Sequence, residues 1–228
     1  MLAKPIISAA EAAGRIKSGD VLMSGGFMGC GAPDTIIRAL KAAGTKGLTL
    51  ISTDTAFHDF KTGRINGIAP LVQDRAFVRI IASHIGLNHE TQRQMNAQET
   101  EVELVPQGTL AERIRCGGAG IGGFLTPTGL GTEVEEGKQV ITVDDRSYLL
   151  ERPLKADVAI IKAKKADKAG NLIYAGTARN FNPLMATAAE LVIAEVEEIV
   201  EIGEIDPNQV HTPSIFVDCL VRSETQES

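Results

Sequence analysis

The chain has 228 residues, 43% of them hydrophobic and 4% aromatic, with no tryptophan and a formal net charge of −6. That length suits one large α/β domain with a sizeable core, or two small ones. The acidic balance argues against nucleic acid as a partner, and the scarcity of aromatic rings argues against a base-stacking platform.

The three cysteines, Cys30, Cys116 and Cys219, are far apart and form no C-x-x-C pair. A metal site or disulfide framework is therefore not expected, and a reducing cytoplasm is the natural home. No signal peptide is expected, because the apolar stretch over residues 5–10 is short and Glu11 interrupts it. The longest charge-free run, residues 116–132, is full of Gly, Pro and Thr and reads as a loop, not a membrane span.

In chain order, Ser8 and Glu11 form a capping box, so a helix is expected from there to about Lys17. Val21-Leu22-Met23 is a short apolar strand. It leads into Ser24-Gly25-Gly26-Phe27-Met28-Gly29-Cys30-Gly31-Ala32-Pro33-Asp34, and Thr35-Ile36-Ile37-Arg38-Ala39-Leu40 follows with helical spacing. The chain is organised around this strand, glycine loop and helix. Its glycines let a ligand approach the backbone without Cβ atoms in the way, and the N–H groups of the helix start form a natural cradle for a phosphate or oxyanion. A tight turn with nothing bound fits the same residues. The order G-G-x-x-G-x-G is not the dinucleotide fingerprint, and no G-K-[ST] follows, which excludes a P-loop.

Gly44 stands where a helix C-cap belongs. Residues 48–52 are a second buried strand ending at Thr53-Asp54-Thr55, and residues 56–76 read as loop. Residues 77–82 are a third strand ending at Ser83-His84. Residues 89–98 are a polar helix. Residues 102–105 are a fourth strand ending at Pro106-Gln107-Gly108, and residues 109–115 are a short helix. The glycine-rich segment 117–132 is too long to be only a connector and reads as a functional loop. A hairpin is expected across Asp144-Asp145-Arg146, a buried strand over 157–162, a turn over 167–171, a helix over 183–189 and a strand over 191–194. The acidic run 195–204 reads as a solvated face, 215–217 as a final edge strand, and 223–228 as a frayed polar tail.

Strands alternating with helices predict an α/β fold: one domain over residues 1–222, a mainly parallel sheet with helices on both faces. Ligands in such folds bind outside the carboxyl ends of the strands. The glycine loop, Thr53-Asp54-Thr55, Ser83-His84 and Pro106-Gln107-Gly108 should therefore gather on one edge.

These residues also carry a resemblance. Gly25-Gly26-Phe27-Met28-Gly29-Cys30-Gly31-Ala32-Pro33 resembles the G-G-F-x-x-x-G-x-P motif of family I coenzyme A transferases. Val105-Pro106-Gln107-Gly108-Thr109-Leu110-Ala111-Glu112-Arg113-Ile114-Arg115, with Gly117-Gly118-Ala119-Gly120, resembles a second block. Thr126-Pro127-Thr128-Gly129-Leu130-Gly131-Thr132, Ala178-Arg179-Asn180-Phe181-Asn182 and Glu195-Val196-Glu197-Glu198-Ile199-Val200 match further. The likeness spans nearly the whole chain and is nearest to the alpha subunits of the bacterial acetate and acetoacetate enzymes.

That resemblance implies a transferase-type open sheet and a partner beta subunit, two alpha with two beta. It implies coenzyme A or acyl-CoA as substrate, with no permanently bound cofactor. It implies ping-pong chemistry on a glutamate of a Ser-Glu-Asn/Gly motif, carried by the beta half. This chain lacks that motif; Ser223-Glu224-Thr225 is the nearest string. On the same grounds Gln107 is expected to serve an oxyanion or orient a carboxylate. Gly25, Gly26, Phe27, Met28, Gly29, Cys30 and Gly31 are expected to contact coenzyme A. Thr53, Asp54, Gly117, Gly118, Ala119 and Gly120 are expected to shape the acyl pocket. His84 reads as a supporting histidine, because the reaction needs no general acid, and Cys30 as a small filler. Two other readings stay open at this point. One is a sugar-phosphate isomerase or hydrolase, which would need its own carboxylate near the glycine loop. The other is a non-catalytic coenzyme A-binding protein, told apart by whether a beta-type partner copurifies.

Overall fold

A computed structural model describes residues 2–224. Strand β1 (Ile6–Ile7) leads into α1 (Ala9–Gly14), where the capping box forms as expected: the Ser8 Oγ accepts the Glu11 N–H and the Glu11 carboxylate accepts the Ser8 N–H. The helix stops at Gly14, short of Lys17. Then come β2 (Val21–Ser24), α2 (Asp34–Ala43) with Gly44 as its left-handed cap, and β3 (Leu48–Asp54). Residues 56–76, read as loop, contain the short helix α3 (Ala69–Gln73), started by Pro70 in its first turn. Next are β4 (Phe77–His84), α4 (His89–Asn96) and β5 (Glu101–Leu104).

Helix α5 (Gln107–Ala119) is longer than its apolar spacing predicts, because it runs on through Gly117 and Gly118 to a left-handed cap at Gly120. Those glycines are packing devices and not loop residues. A Cβ on Gly117 would lie 1.9 Å from the Leu154 carbonyl oxygen, and one on Gly118 2.1 Å from Thr187 Oγ1. The helix end thus presses directly against its neighbours.

Strands β6 (Phe124–Thr126), β7 (Val140–Val143) and β8 (Arg146–Glu151) form a small antiparallel sheet in the order β6-β8-β7. The expected hairpin turns at Asp144 and Asp145, both with positive φ (46° and 60°), as a two-residue turn matching strand twist requires. The chain then lays down β9 (Ala156–Asp167), β10 (Leu172–Ile173), α6 (Asn182–Thr187), β11 (Ala189–Val200) and β12 (Cys219–Arg222).

The main sheet has the order β1-β12-β11-β9-β2-β3-β4-β5, every neighbour parallel, with β10 antiparallel beside β9. Adjacent residues of one strand serve opposite layers. Leu22, Leu50, Ile80 and Ile160 pack with Ile36, Ile37 and Leu40 of α2, while Met23, Ile51, Ile81 and Ile161 pack with Leu110, Ile114 and Met185 of α5 and α6. Burial on both faces explains why these strands read as unbroken apolar runs.

Two expectations fail here. Residues 215–217 are not the last strand: 214–216 form a single 3-10 turn, and the strand is β12, placed inside the sheet between β11 and β1. The acidic run is not a uniform solvated face. Its first half completes β11, where Lys162 and Lys165 of β9 stand in register with Glu195 and Glu198. Lys164 pairs with Glu197 at 2.7 Å, Lys165 with Glu198 at 2.9 Å, and Lys168 with Glu201. The tail is pinned where it begins: the Ser223 hydroxyl donates to Glu195, and the Glu224 N–H donates to Thr35 Oγ1. Residues 225–228 of that expected tail lie outside the described residues.

Candidate active site

The chain order reverses between β2 and β9: successive strands run outward from β2 through β5 on one side and from β9 through β12 on the other. In an open parallel sheet that reversal leaves a crevice at the carboxyl ends. The glycine loop leaves β2 at this point, with the Gly25 N–H donating to the Ile160 carbonyl of β9.

The loop is a tight hairpin. Phe27 and Cys30 exchange backbone hydrogen bonds of 3.0 and 2.9 Å, and the two residues between them, Met28 and Gly29, have φ of 52° and 85°. Surrounding side chains hold it from both sides. The Met28 N–H donates to Asp54 Oδ2 at 2.9 Å, and the Asn66 amide donates to the Met28 carbonyl at 3.4 Å. On the other side, Asn180 accepts the Gly26 N–H and donates to the Cys30 carbonyl, and Asn182 donates to the Gly31 carbonyl. Gly25 has no room for a side chain, since its Cβ would fall 1.8 Å from Asn182 Oδ1.

The start of α2 is not an open anion cradle. Glu195 of β11, 1% exposed, accepts the Thr35 and Ile36 N–H groups at 2.8 and 3.2 Å. Its other oxygen takes the Ser223 hydroxyl and lies 3.5 Å from Lys162 Nζ. The positive end of the helix thus carries an internal carboxylate, which removes it as a phosphate seat. Asp34 beside it has its carboxyl pushed above the usual range, chiefly by burial.

A cleft of about 500 Å³ opens at the carboxyl edge instead, lined by Phe27, Met28, Asp54, Ser83, His84, Leu87 and Gln107. Four of the segments expected to converge do so: the glycine loop after β2 and the ends of β3, β4 and β5. Gln107 is the first residue of α5. It is exposed, and its side-chain amide has no hydrogen-bond partner among the described residues. Pro106, the N-cap, offers no side-chain cap, so the first-turn N–H groups keep their partial positive charge.

Asp54 is 7% exposed, and both its oxygens are engaged: Oδ2 by Met28 and Oδ1 by the Ala56 N–H at 2.7 Å. Burial pushes its carboxyl above the usual range, while those two N–H groups and His84 pull the other way. His84 stands opposite Asp54 in the β3–β4 register. No lysine or arginine lines the cleft.

The other expected pocket residues do not gather there. Gly117, Gly118 and Gly120 line a different cavity of about 360 Å³ with Val21, Asp157 and Glu190, at the amino ends of β2, β9 and β11. Ala119 ends the same helix. At ~1.5 Å per residue, Gly118 is roughly 16 Å along α5 from Gln107. Their expected part in the acyl pocket is therefore corrected: α5 runs antiparallel to the strands and carries its glycines to the far edge. Thr53 is fully buried behind Asp54 and does not line the cleft; its hydroxyl has no partner, while its carbonyl accepts the Ser83 hydroxyl. Cys30 turns away, its sulfur 3.6 Å from Thr177 Oγ1. Gly29 and Gly31 line a further cavity, with Lys162, Lys164 and Ala178.

Ser83, Leu87, Asn66, Asn180 and Asn182 were not singled out by sequence. Only Asn180 and Asn182 lay in a string that could have drawn notice. No cluster of potential metal ligands occurs among the described residues, and no helix of theirs is long and apolar enough to cross a membrane.

A doubly covered parallel sheet with a ligand-sized cleft at the carboxyl ends, beside the reversal of strand order, defines an α/β protein with a small-molecule site. Comparison with known proteins gives its family. The coenzyme A transferase family model matches residues 6–223, and the chain belongs to that family. It is 51% identical over 214 residues to the alpha chain of acetate CoA-transferase from Escherichia coli K12, covering 94% of each chain. It is 45% identical over 206 residues to the alpha chain of the acetoacetyl-CoA:acetate/butyrate CoA transferase from Clostridium acetobutylicum, covering 90% of this chain and 92% of that one. Among solved structures, an acyl-CoA transferase from Escherichia coli O157:H7, determined as a thioester complex with CoA, superposes with a TM-score of 0.85 at 22% identity. That match covers 98% of this chain and 48% of the other, so the present chain spans about half its length.

Proposed function

We propose that the chain is the alpha subunit of a short-chain acyl-CoA:carboxylate CoA-transferase, working with a beta subunit that brings the nucleophilic glutamate. The observation that carries this reading is the make-up of the cleft. It offers donors and apolar walls, but its one carboxylate, Asp54, has both oxygens committed to backbone N–H groups. A carboxylate so held is a poor nucleophile, so the reacting group must enter from outside.

In the proposed cycle the partner's glutamate attacks the acyl-CoA thioester carbonyl. CoA leaves as thiolate, and a mixed anhydride remains. The thiolate attacks the glutamyl carbonyl of that anhydride, expelling the free acid and leaving an enzyme-bound CoA thioester. A second carboxylic acid reverses the two steps. Each addition passes through an oxyanion. The amide of Gln107 and the positive end of α5 face the cleft where that charge develops, the kind of pre-set donor that supplies much of the catalysis in acyl transfer. The glycine hairpin sets Phe27 and Met28 on the cleft wall and contacts coenzyme A.

The assembly in this reading is two alpha with two beta, in the cytoplasm, with coenzyme A as substrate and not as a resident group. The free thiols Cys30, Cys116 and Cys219 agree with a reducing compartment. Coexpression with the adjacent reading frame, followed by exchange assays over a panel of acyl-CoA donors and acids, tests it. Copurification with exchange activity is expected. A copurified complex that exchanges no acyl group would contradict it.

A further inference from the structure

The charges around the cleft are one-sided. Phe27, Met28 and Leu87 make its walls largely apolar, and Asp54 is its only carboxylate. The cations nearest the glycine hairpin, Lys162 and Lys164, lie by a separate cavity and are engaged by Glu195 and Glu197. His84 stands opposite Asp54 in register, so any positive charge on its ring faces that carboxylate first.

Resting on the transferase reading above, we propose that Asp54 makes the cleft a charge filter. It admits acyl groups that carry no charge beyond the reacting carboxyl, the monocarboxylic acids, and turns away dicarboxylic acids such as succinate. The second carboxylate of a dicarboxylic acyl group would sit desolvated among apolar walls, near a like charge and without a cation from this chain. A buried charge without a partner is strongly disfavoured, and a like-charge neighbour adds to that. An alkyl chain on the same walls gains with each methylene buried. The same carboxylate fixes the hairpin through the Met28 N–H, which keeps Asp54 from swinging away when an anion enters.

The test uses this chain assembled with its beta partner, acetoacetyl-CoA as donor, and acetate, butyrate and succinate as acceptors. kcat/KM for butyrate should exceed that for succinate on the order of 10²-fold, the scale of one partly screened like-charge contact. Asp54→Asn keeps an oxygen for the Met28 N–H but removes the charge. It should slow exchange with every acid while narrowing the butyrate-to-succinate ratio by about tenfold. A merely structural role would lower all rates together and leave the ratio where it was. Leu87→Arg, which adds a cation to the wall, should raise succinate relative to butyrate, and it serves as readout where Asp54→Asn does not assemble. A wild-type enzyme as active on succinate as on butyrate, or a ratio unmoved by these variants, would overturn the filter and leave the transferase reading standing. Exchange with no acid at all would overturn that reading and the filter with it.

Discussion

Gln107 has the clearest position of any single side chain at the site: first in its helix, exposed at the cleft, and with no partner for its amide among the described residues. A residue idle in the resting fold contributes little stability, so Gln107→Ala should leave thermal unfolding nearly unchanged. It should lower kcat on the order of 10²-fold, as loss of one oxyanion donor does. Gln107→Glu should be at least as damaging, because it sets a negative charge beside a developing one. Unchanged rates in both half-reactions would remove Gln107 from the chemistry. Asp54 gives a pH signature. Its carboxyl is raised in the folded state by burial, so the folded protein holds that proton more firmly than the unfolded chain does. Its contribution to stability is therefore full below the unfolded value and falls as pH rises through the raised one. Asp54→Asn should flatten that decline in a denaturation series taken from acid towards neutral pH; an identical decline would mean the burial is not felt. The glycine hairpin was legible because a run of glycines before a helical pattern has few other uses. Asn66 was not legible, for nothing in a lone asparagine says that it will cross to the loop. It also changes what a substitution does: a Cβ on Gly29 would meet Asn66 Nδ2 at 2.4 Å, where φ is already 85°. Gly29→Val should thus cost stability as well as function.

At the scale of elements, the misreadings share one cause: each concerned a residue whose use is set by a neighbour distant in sequence. Glu195 opens an acidic run, yet it folds inward to cap α2 because β11 brings it beneath the Thr35 and Ile36 N–H groups. Glu195→Ala should leave those donors without a protein acceptor and Lys162 with one carboxylate fewer. The expected loss is about 1–3 kcal/mol, and at this chain length each kcal/mol lowers Tm by roughly 2–4 °C. No shift in Tm on scanning calorimetry would mean that water replaces the cap. Gly117 looked like part of a functional loop because glycine density marks loops and close packing alike. Gly117→Ala drives a methyl against the Leu154 carbonyl. It should destabilise by about 1–3 kcal/mol, as overpacking does, while the surviving enzyme keeps its preference among acids. A changed preference would return the far end of α5 to the acyl pocket. Ser8 and Glu11, by contrast, act on residues three apart, and local sequence sufficed for them.

At the scale of the whole molecule, the sequence carried the alternation of strand and helix and hence the parallel, doubly covered sheet, since strands such as 48–52 and 157–162 are dominated by apolar residues on both faces. It did not carry the strand order. That β12 enters between β1 and β11, or that the reversal falls between β2 and β9, depends on pairing across most of the chain. Yet that order places the glycine hairpin, Asp54, His84 and Gln107 around one cleft. The cleft holds donors, an apolar wall and a committed carboxylate, and the proposal assigns the attacking carboxylate to another chain. Binding energy from both chains would then hold thioester and nucleophile within reacting distance. The isolated chain should accordingly catalyse no exchange. The most direct measurement is to incubate the assembled enzyme with acyl-CoA and no acceptor acid, trap the thioester, and map the adduct by mass spectrometry of its peptides. The CoA adduct should appear only on a glutamate of the beta chain; a stoichiometric adduct on any glutamate of this chain would contradict the division of labour argued from the cleft.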